Sequence, residues 1–245
     1  MIINSTFSTC MLSFLLLCSD LNAEVILHGT RVIYPAEARE VTLQLSNIGE
    51  VPSLVQAWID DGDPKSTPDQ STAPFMISPP ISRVNAKKGQ ALRITALPNA
   101  ASLSKTQETL FWLNVLDIPP KPESNAVNVD APDNYLQLAI RSRIKLFYRP
   151  KGLEQAALAP EKIQWVRDGS QLKIQNPTAF YITLTSIQQE QSGKTLNLIS
   201  DGLMLKPHTE EILNLQHLEN RKMIFTTIND YGGHSEYELK LKSVI

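Results

Sequence analysis

Short runs in which apolar and polar residues alternate one by one recur along the whole chain, and they leave little choice of secondary structure. The runs "EVILHGTRVIY" (24–34), "EVTLQLSN" (40–47), "SLVQAWID" (53–60), "ALRITALP" (91–98) and "TLFWLNVLDIPP" (109–120) each carry a period of two and are bounded by Pro, Gly, Asn or Asp. Successive side chains of a strand point to opposite faces, so this period between turn residues is the pattern of an antiparallel sandwich or barrel. The second half continues in the same style, with "KIQWVRDGSQLKIQNPTAFYITLTSIQQ" (162–189), "KTLNLIS" (194–200), "MLKPHTEEILNL" (204–215), "KMIFTTIND" (222–230) and "SEYELKLKSV" (235–244). In the first of these, "RDGSQ" reads as a tight hairpin turn, because Asp-Gly tolerates the positive φ that such turns need. No segment shows a helical stripe, and "EARE" (37–40) allows at most a single turn. Between the halves, "RPKGLEQAALAPEK" (149–162) is punctuated by Pro and Gly, so the expectation is all-β, with two sandwich domains at 24–150 and 151–245.

The first residues, "MIINSTFSTCMLSFLLLCSDLNA", hold an apolar run from Cys10 to Cys18 that is too short to span a bilayer, followed by the small residue Ala23. A secretory signal peptide over residues 1–23, cut after Ala23, is expected. Two features run against it: there is no Lys or Arg before the apolar run, and Leu21 is bulky for a position three before the cut. A buried first strand or a retained anchor is the alternative, and Leu17 makes a lipoprotein reading of Cys18 weaker still. With the signal removed, no cysteine remains, so the mature chain can form no disulfide, thiolate metal site or cysteine nucleophile. A formal net charge of -2 gives no bulk attraction to nucleic acid or to a membrane surface.

One segment departs from the ordinary strand pattern. From Tyr135 to Arg149 the even positions are Leu136, Leu138, Ile140, Ser142, Ile144, Leu146 and Tyr148, while the odd ones include Arg141, Arg143, Lys145 and Arg149. Fifteen residues are far more than an average strand of about five or six, and the segment follows "KPESNAVNVDAPDN" (121–134), an aperiodic stretch expected to be a long loop. A solvated face of snorkelling cations accounts for the odd row. The even row has a sharper reading, an apolar edge strand kept for a partner to pair with. Arg31 in "GTRVIY" is a second cation in an apolar context. Together with a Lys across a cleft it would make an anchor for carboxylate or phosphate.

The motifs "TRVIY" (30–34), "QAWID" (56–60), "ISPPISRV" (77–84), "GQALRI" (89–94), "QETLFWLNVLDIPP" (107–120), "RIKLFYRP" (143–150), "NPTAFYITL" (176–184) and "INDYGG" (228–233) resemble, in order, those of the periplasmic chaperones of the chaperone/usher pilus pathway. The resemblance implies two immunoglobulin-like β-sandwiches set in an L, no enzymatic activity and no cofactor. It implies a periplasmic protein whose partners are pilus subunits and an outer-membrane usher. It also implies donor residues Leu136, Leu138 and Ile140 that complete a subunit's open sheet, and a subunit carboxylate anchored by Arg31 and Lys145. An interdomain charge cluster of Glu108, Arg149 and Asp230 is implied as well. Thr106 stands where the family usually has an acidic or amide residue. The loop at 121–134 is longer than in short-loop members, yet the mature chain has no disulfide to tie it, so a short-loop type with an extended linker is the expectation. Self-association through the donor strand is left open.

Other functions find less in the residues. Two tandem modules of this kind also suit a surface adhesin or a pilus subunit, although a subunit would carry its donor segment at its N-terminus rather than internally. His28, His208, His217 and His234 lack metal-ligand spacing, and no nucleophile motif of the G-x-S-x-G type is present, so neither a metal nor a catalytic residue is expected. The chain is expected to bind no nucleic acid, and the mature part to insert into no membrane.

Overall fold

A computed structural model of the chain describes residues 25–121, 137–191, 194–215 and 223–243. The signal segment, Leu136, most of the 121–134 loop and His217 lie outside the described residues. Nine strands precede the connector: β1 (Val25–Leu27), β2 (Arg31–Pro35), β3 (Val41–Asn47), β4 (Ser53–Asp60), β5 (Phe75–Ser78), β6 (Ile81–Val84), β7 (Gly89–Ala96), β8 (Thr109–Ile118) and β9 (Ile140–Arg149). Nine follow it: β10 (Gln164–Asp168), β11 (Gln171–Asn176), β12 (Ile182–Gln191), β13 (Lys194–Asn197), β14 (Leu203–Leu205), β15 (Thr209–Asn214), β16 (Met223–Ile228), β17 (His234–Leu239) and β18 (Leu241–Ser243).

The first nine strands make two sheets, ordered β1, β3, β7, β5 and β2, β9, β8, β4, β6. The other nine make two more, ordered β15, β11, β10, β18 and β13, β12, β16, β17, with β14 also pairing β12. Each pair of sheets closes over its own apolar core. The first core gathers Tyr34, Leu45, Ile94, Leu113 and Leu146, the second Trp165, Leu172, Ile174, Leu184 and Phe225. Burying one such side chain contributes about 1.5–3 kcal/mol, and with no cysteine among the described residues it is this burial that holds the two sandwiches. The Tyr34 ring is fully buried, and its hydroxyl reaches the carbonyls of Ala38 and Arg39 while accepting the Ala96 N–H, so its polar end is satisfied inside the core.

Local chemistry explains where the alternating runs start and stop. Asp168 pairs with Gln171, leaving Gly169 (φ +60°) and Ser170 as a two-residue hairpin loop. The run 24–34 is two strands rather than one. It breaks at His28–Thr30, so that β1 pairs antiparallel with β3 in one sheet while β2 pairs parallel with β9 in the other. The stretch "EARE" forms a turn and a bend, not a helix.

The long strand expected from 135 is described as β9 only from Ile140, and residues 137–139 are irregular. Its partner β8 ends at Ile118, and Pro119 and Pro120 have no N–H to continue the ladder, so Asp117 with Ile140 is the last pair. There Gln137 donates to the Pro119 carbonyl instead (2.6 Å).

Candidate functional site

Strand β9 has two different edges. Along one, all of Ile140–Tyr148 pairs with β8; along the other, β2 pairs only with Lys145–Arg149. Residues 140–144 therefore face no strand on that side among the described residues, and their backbone groups form a short open edge. The even row that fills the first core with Leu146 and Tyr148, and packs Ile144 against it, continues outward into Ile140 and Leu138, which are 45% and 50% exposed. Two of the three expected donor side chains thus stand beside an unpaired edge, on the line of side chains that inserts into this domain's own core.

The open edge ends where β2 begins. Arg31 and Lys145 are direct partners in the parallel β2/β9 pair, so their side chains leave the sheet on the same face. Both point at the second sandwich: Arg31 Nη1 donates to the Ile228 carbonyl (3.1 Å) and Lys145 Nζ donates to Thr183 Oγ1 (3.0 Å). Among the described residues neither forms an ion pair, and the buried Arg31 Nε has no partner. Two half-buried cations side by side disfavour one another. Burial, and then the charge of Arg31, bring the Lys145 ammonium down to about 8 from an ordinary 10.5. Burial lowers the Arg31 pKa too, against the opposing charges of Asp230 and Glu108. This is an electropositive site short of an anion.

At the far end of β9, Arg149 binds two carboxylates from different places in the chain. Its Nε donates to Glu108 Oε1 (2.8 Å), and its Nη1 and Nη2 donate to Asp230 Oδ2 and Oδ1 (2.7 and 2.8 Å) in a bidentate fork. Glu108, 2% exposed, also accepts the Tyr181 N–H through Oε2 (2.9 Å), while its own N–H donates to the Ala179 carbonyl. Burial disfavours the Arg149 charge, but the bonds and charges of Asp230 and Glu108 outweigh it and hold the guanidinium protonated. Burial pushes the Glu108 carboxyl up, because Arg149 and the Tyr181 N–H only partly compensate and Asp230 shares the same cation. Beside this cluster lies a cleft of about 360 Å³ bordered by Arg31, Arg149, Asp230, Phe147, Phe180 and Tyr181.

The expected solvated face for Arg141 and Arg143 is corrected. Arg143 makes a fork to Asp60 (2.6 and 3.1 Å) and lies over the Trp112 ring (4.2 Å). Arg141 grips Asn114 Oδ1 with two donors (2.9 and 2.6 Å), bonds to the Pro64 carbonyl and lies over Trp58 (4.8 Å). Asp60 is 1% exposed and also accepts from Asn114 Nδ2 and the Gly62 N–H. Burial alone would raise its pKa, but bonds from Arg143, Asn114 and Gly62 hold it below the usual carboxylate value. Asp60, Asn114, Trp58 and Trp112 were not singled out from the sequence, and neither were Thr183 and Ile228. Their spacing to the cations becomes short only once register is known.

Comparison with known proteins gives a consistent set of matches. Residues 24–154 match the family model described as pili and flagellar-assembly chaperone, PapD N-terminal domain, and residues 158–239 match the pili assembly chaperone PapD, C-terminal domain. The chain is 44% identical over 220 residues to the chaperone protein MrkB of Klebsiella pneumoniae, covering 89% of this chain and 91% of that one. Its fold is similar to the CupB2 chaperone of Pseudomonas aeruginosa, with a TM-score of 0.75, 34% identity, and 89% and 100% of the two chains covered. It is also similar to a chain in the solved complex of the Salmonella enterica SafA pilin with the SafB chaperone, with a TM-score of 0.70, 31% identity, and 90% and 98% covered.

Proposed function

The chain belongs to the PapD family of pilus-assembly chaperones, and from that premise we propose that it captures pilus subunits by lending them β9 and holds their C-terminal carboxylate between Arg31 and Lys145. The observation that carries this is the adjacency of the two features: the open edge 140–144 runs straight into the Arg31/Lys145 pair. In this scheme residues 24–150 and 151–245 are the two domains, residues 1–23 direct the chain to the periplasm, and the loaded chaperone passes its subunit to an outer-membrane usher. No step of it is catalytic.

The geometry also dictates a direction. A chain whose terminal carboxylate sits at Lys145 and whose body lies along residues 140–144 must run the same way as β9, so the added strand is parallel, in line with β2. Leu138 and Ile140 would then enter the subunit's open core, with Leu136 as the third side chain of the row. Each would contribute about 1.5–3 kcal/mol before the cost of ordering, enough to shield a subunit while leaving release feasible. A fixed terminus also fixes register, and a slip by one residue would present the cationic row to the groove instead.

Charge reversal tests the anchor. Arg31→Glu or Lys145→Glu should abolish recovery of a co-expressed pilus subunit from the periplasm, while circular dichroism shows the chaperone still folded. A folded double variant that still protects the subunit from proteolysis would refute the assignment.

A further inference from the structure

The turn joining β16 to β17 touches the first sandwich at three points, and one of them concerns a residue with no side chain. Gly232 sits at φ +85°, and a Cβ built on it would overlap Thr30 Oγ1, with Thr30 Cβ and Cγ2 at 3.6 and 3.7 Å. The other two points precede it in the chain: the Ile228 carbonyl receives Arg31 Nη1, and Asp230 receives the Arg149 fork. The turn keeps its own shape. The Gly232 N–H donates to the Asn229 carbonyl (3.0 Å), the Asn229 N–H donates to the Gly233 carbonyl (2.9 Å), and Asn229 Oδ1 accepts the N–H groups of Tyr231 and Gly233 (3.0 and 2.9 Å). Meanwhile Tyr231, at 96% exposed, contributes nothing to the contact. A loop braced by its own backbone, with a bare Cα where it meets Thr30, transmits distance rather than yielding to it.

We infer that the Asn229–Gly233 turn is the gauge that sets Arg31, with Gly232 and Thr30 as positioning residues for carboxylate capture. Thr30 directly precedes Arg31, so the depth at which Thr30 seats on Gly232 fixes how far the guanidinium reaches and whether Nη1 stays tied to Ile228. With Nη1 tied and Nε buried, Nη2 is the donor left for an incoming anion. At the other end of β2, Pro35 pairs with Arg149, which the same turn holds through Asp230, so both ends of the strand that carries the anchor are referenced to one loop. Only a residue without a Cβ gives both the left-handed φ and the contact with Thr30.

The inference rests on the carboxylate-anchor reading above, and the test separates the two. Full-length protein is titrated calorimetrically with a synthetic peptide alternating Ile and Ser, in free-acid and C-terminally amidated forms. Wild type should prefer the free acid, and Gly232→Ala should weaken free-acid binding about tenfold, the size expected when one charge-assisted fork is displaced, while amide binding stays the same. Adding Thr30→Gly to Gly232→Ala removes the overlap and should restore most of the preference. Thr30→Ile thickens the same contact without altering the turn, should reproduce the selective loss, and decides the matter if Gly232→Ala does not fold. Full retention of the free-acid preference in Gly232→Ala and Thr30→Ile overturns the inference, as does equal weakening of both peptides, which would mark Gly232 as merely structural. A wild type that binds acid and amide equally sinks the anchor, and this inference with it.

Discussion

Among the described residues no carboxylate pairs with the Lys145 ammonium, and if Lys145 anchors a subunit's carboxylate as proposed, capture has a pH dependence of definite sign. An arriving carboxylate stabilises the charged form, so binding is strongest where Lys145 is protonated and weakens as pH rises through about 8. In the free protein the sign is opposite. Its folded pKa lies below the ordinary 10.5, so below pH 8 both folded and unfolded chains carry the proton and the desolvation cost is fully present. Between about 8 and 10.5 the unfolded chain binds more protons, and the contribution of Lys145 to stability rises with pH. Lys145→Met should therefore be more stable than wild type at pH 7 in urea titrations, by on the order of 1 kcal/mol once solvent screening of a half-buried group is allowed for, and the gap should close towards pH 10. A gap that stays constant across that range would mean the lysine is not desolvated where it meets Thr183 of the second sandwich. Arg31 stands out in the sequence by its apolar neighbours, but Lys145 is one of a row of cations, and the pair is implied only by the family resemblance. Their direct pairing could not be read there, because parallel register between strands more than a hundred residues apart leaves no local trace.

As an element, β9 does two jobs with its two faces, and only one of them is visible in its pattern. The even row is legible as apolar from Leu136 to Tyr148, interrupted at Ser142. The odd row looks like a solvated face, yet Arg141 and Arg143 are clamped onto Trp58, Asn114, Trp112 and Asp60. A strand with an open edge needs to be rigid if it is to be lent, and this lattice ties its outer face to β8 and β4. Asp60 is the keystone, since removing it leaves Arg143 part-buried and uncompensated. Asp60→Ala should cost about 3–5 kcal/mol, as when one partner of a buried ion pair is lost, read as a lower urea midpoint. A change under about 1 kcal/mol would reduce the lattice to an ordinary surface pair. Both carboxylate and tryptophans occupy even positions of β4 and β8, but only the pairing of Trp112 with Lys145 and of Asn114 with Arg143 puts them on the cationic face.

At the scale of the whole molecule, Arg149 holds Glu108 and Asp230 together across the two sandwiches. A cluster of this kind contributes little net stability but constrains geometry, because its bidentate fork tolerates little change in angle. Asp230→Asn removes one charge while keeping the size of the side chain, and it should alter the small-angle scattering profile of the free protein. An unchanged profile would leave the domain angle to the turn at Gly232 and to packing of Phe147 against Tyr181. All three charged residues sit in motifs that the family resemblance marks, and nothing else in the sequence joins them; the cleft beside them left no trace there, since it exists only where two sandwiches meet.

Alternation and punctuation by themselves determined that the chain is all-β, that a tight hairpin turn falls at Gly169, and that one strand carries a mostly apolar row opposite a basic one. These are properties of single segments, set by the two-residue period of a strand and by the few residues that suit a turn. Tertiary structure alone decided that 24–34 is two strands in two sheets, that β9 starts at Ile140 opposite the end of β8, and that Arg141 and Arg143 are bound rather than solvated. The reason is the same in each case. Which groups a strand meets depends on its partner and its register, and the pairs that matter here, such as Arg143 with Asp60 or Arg149 with Asp230, lie about eighty residues apart in the chain.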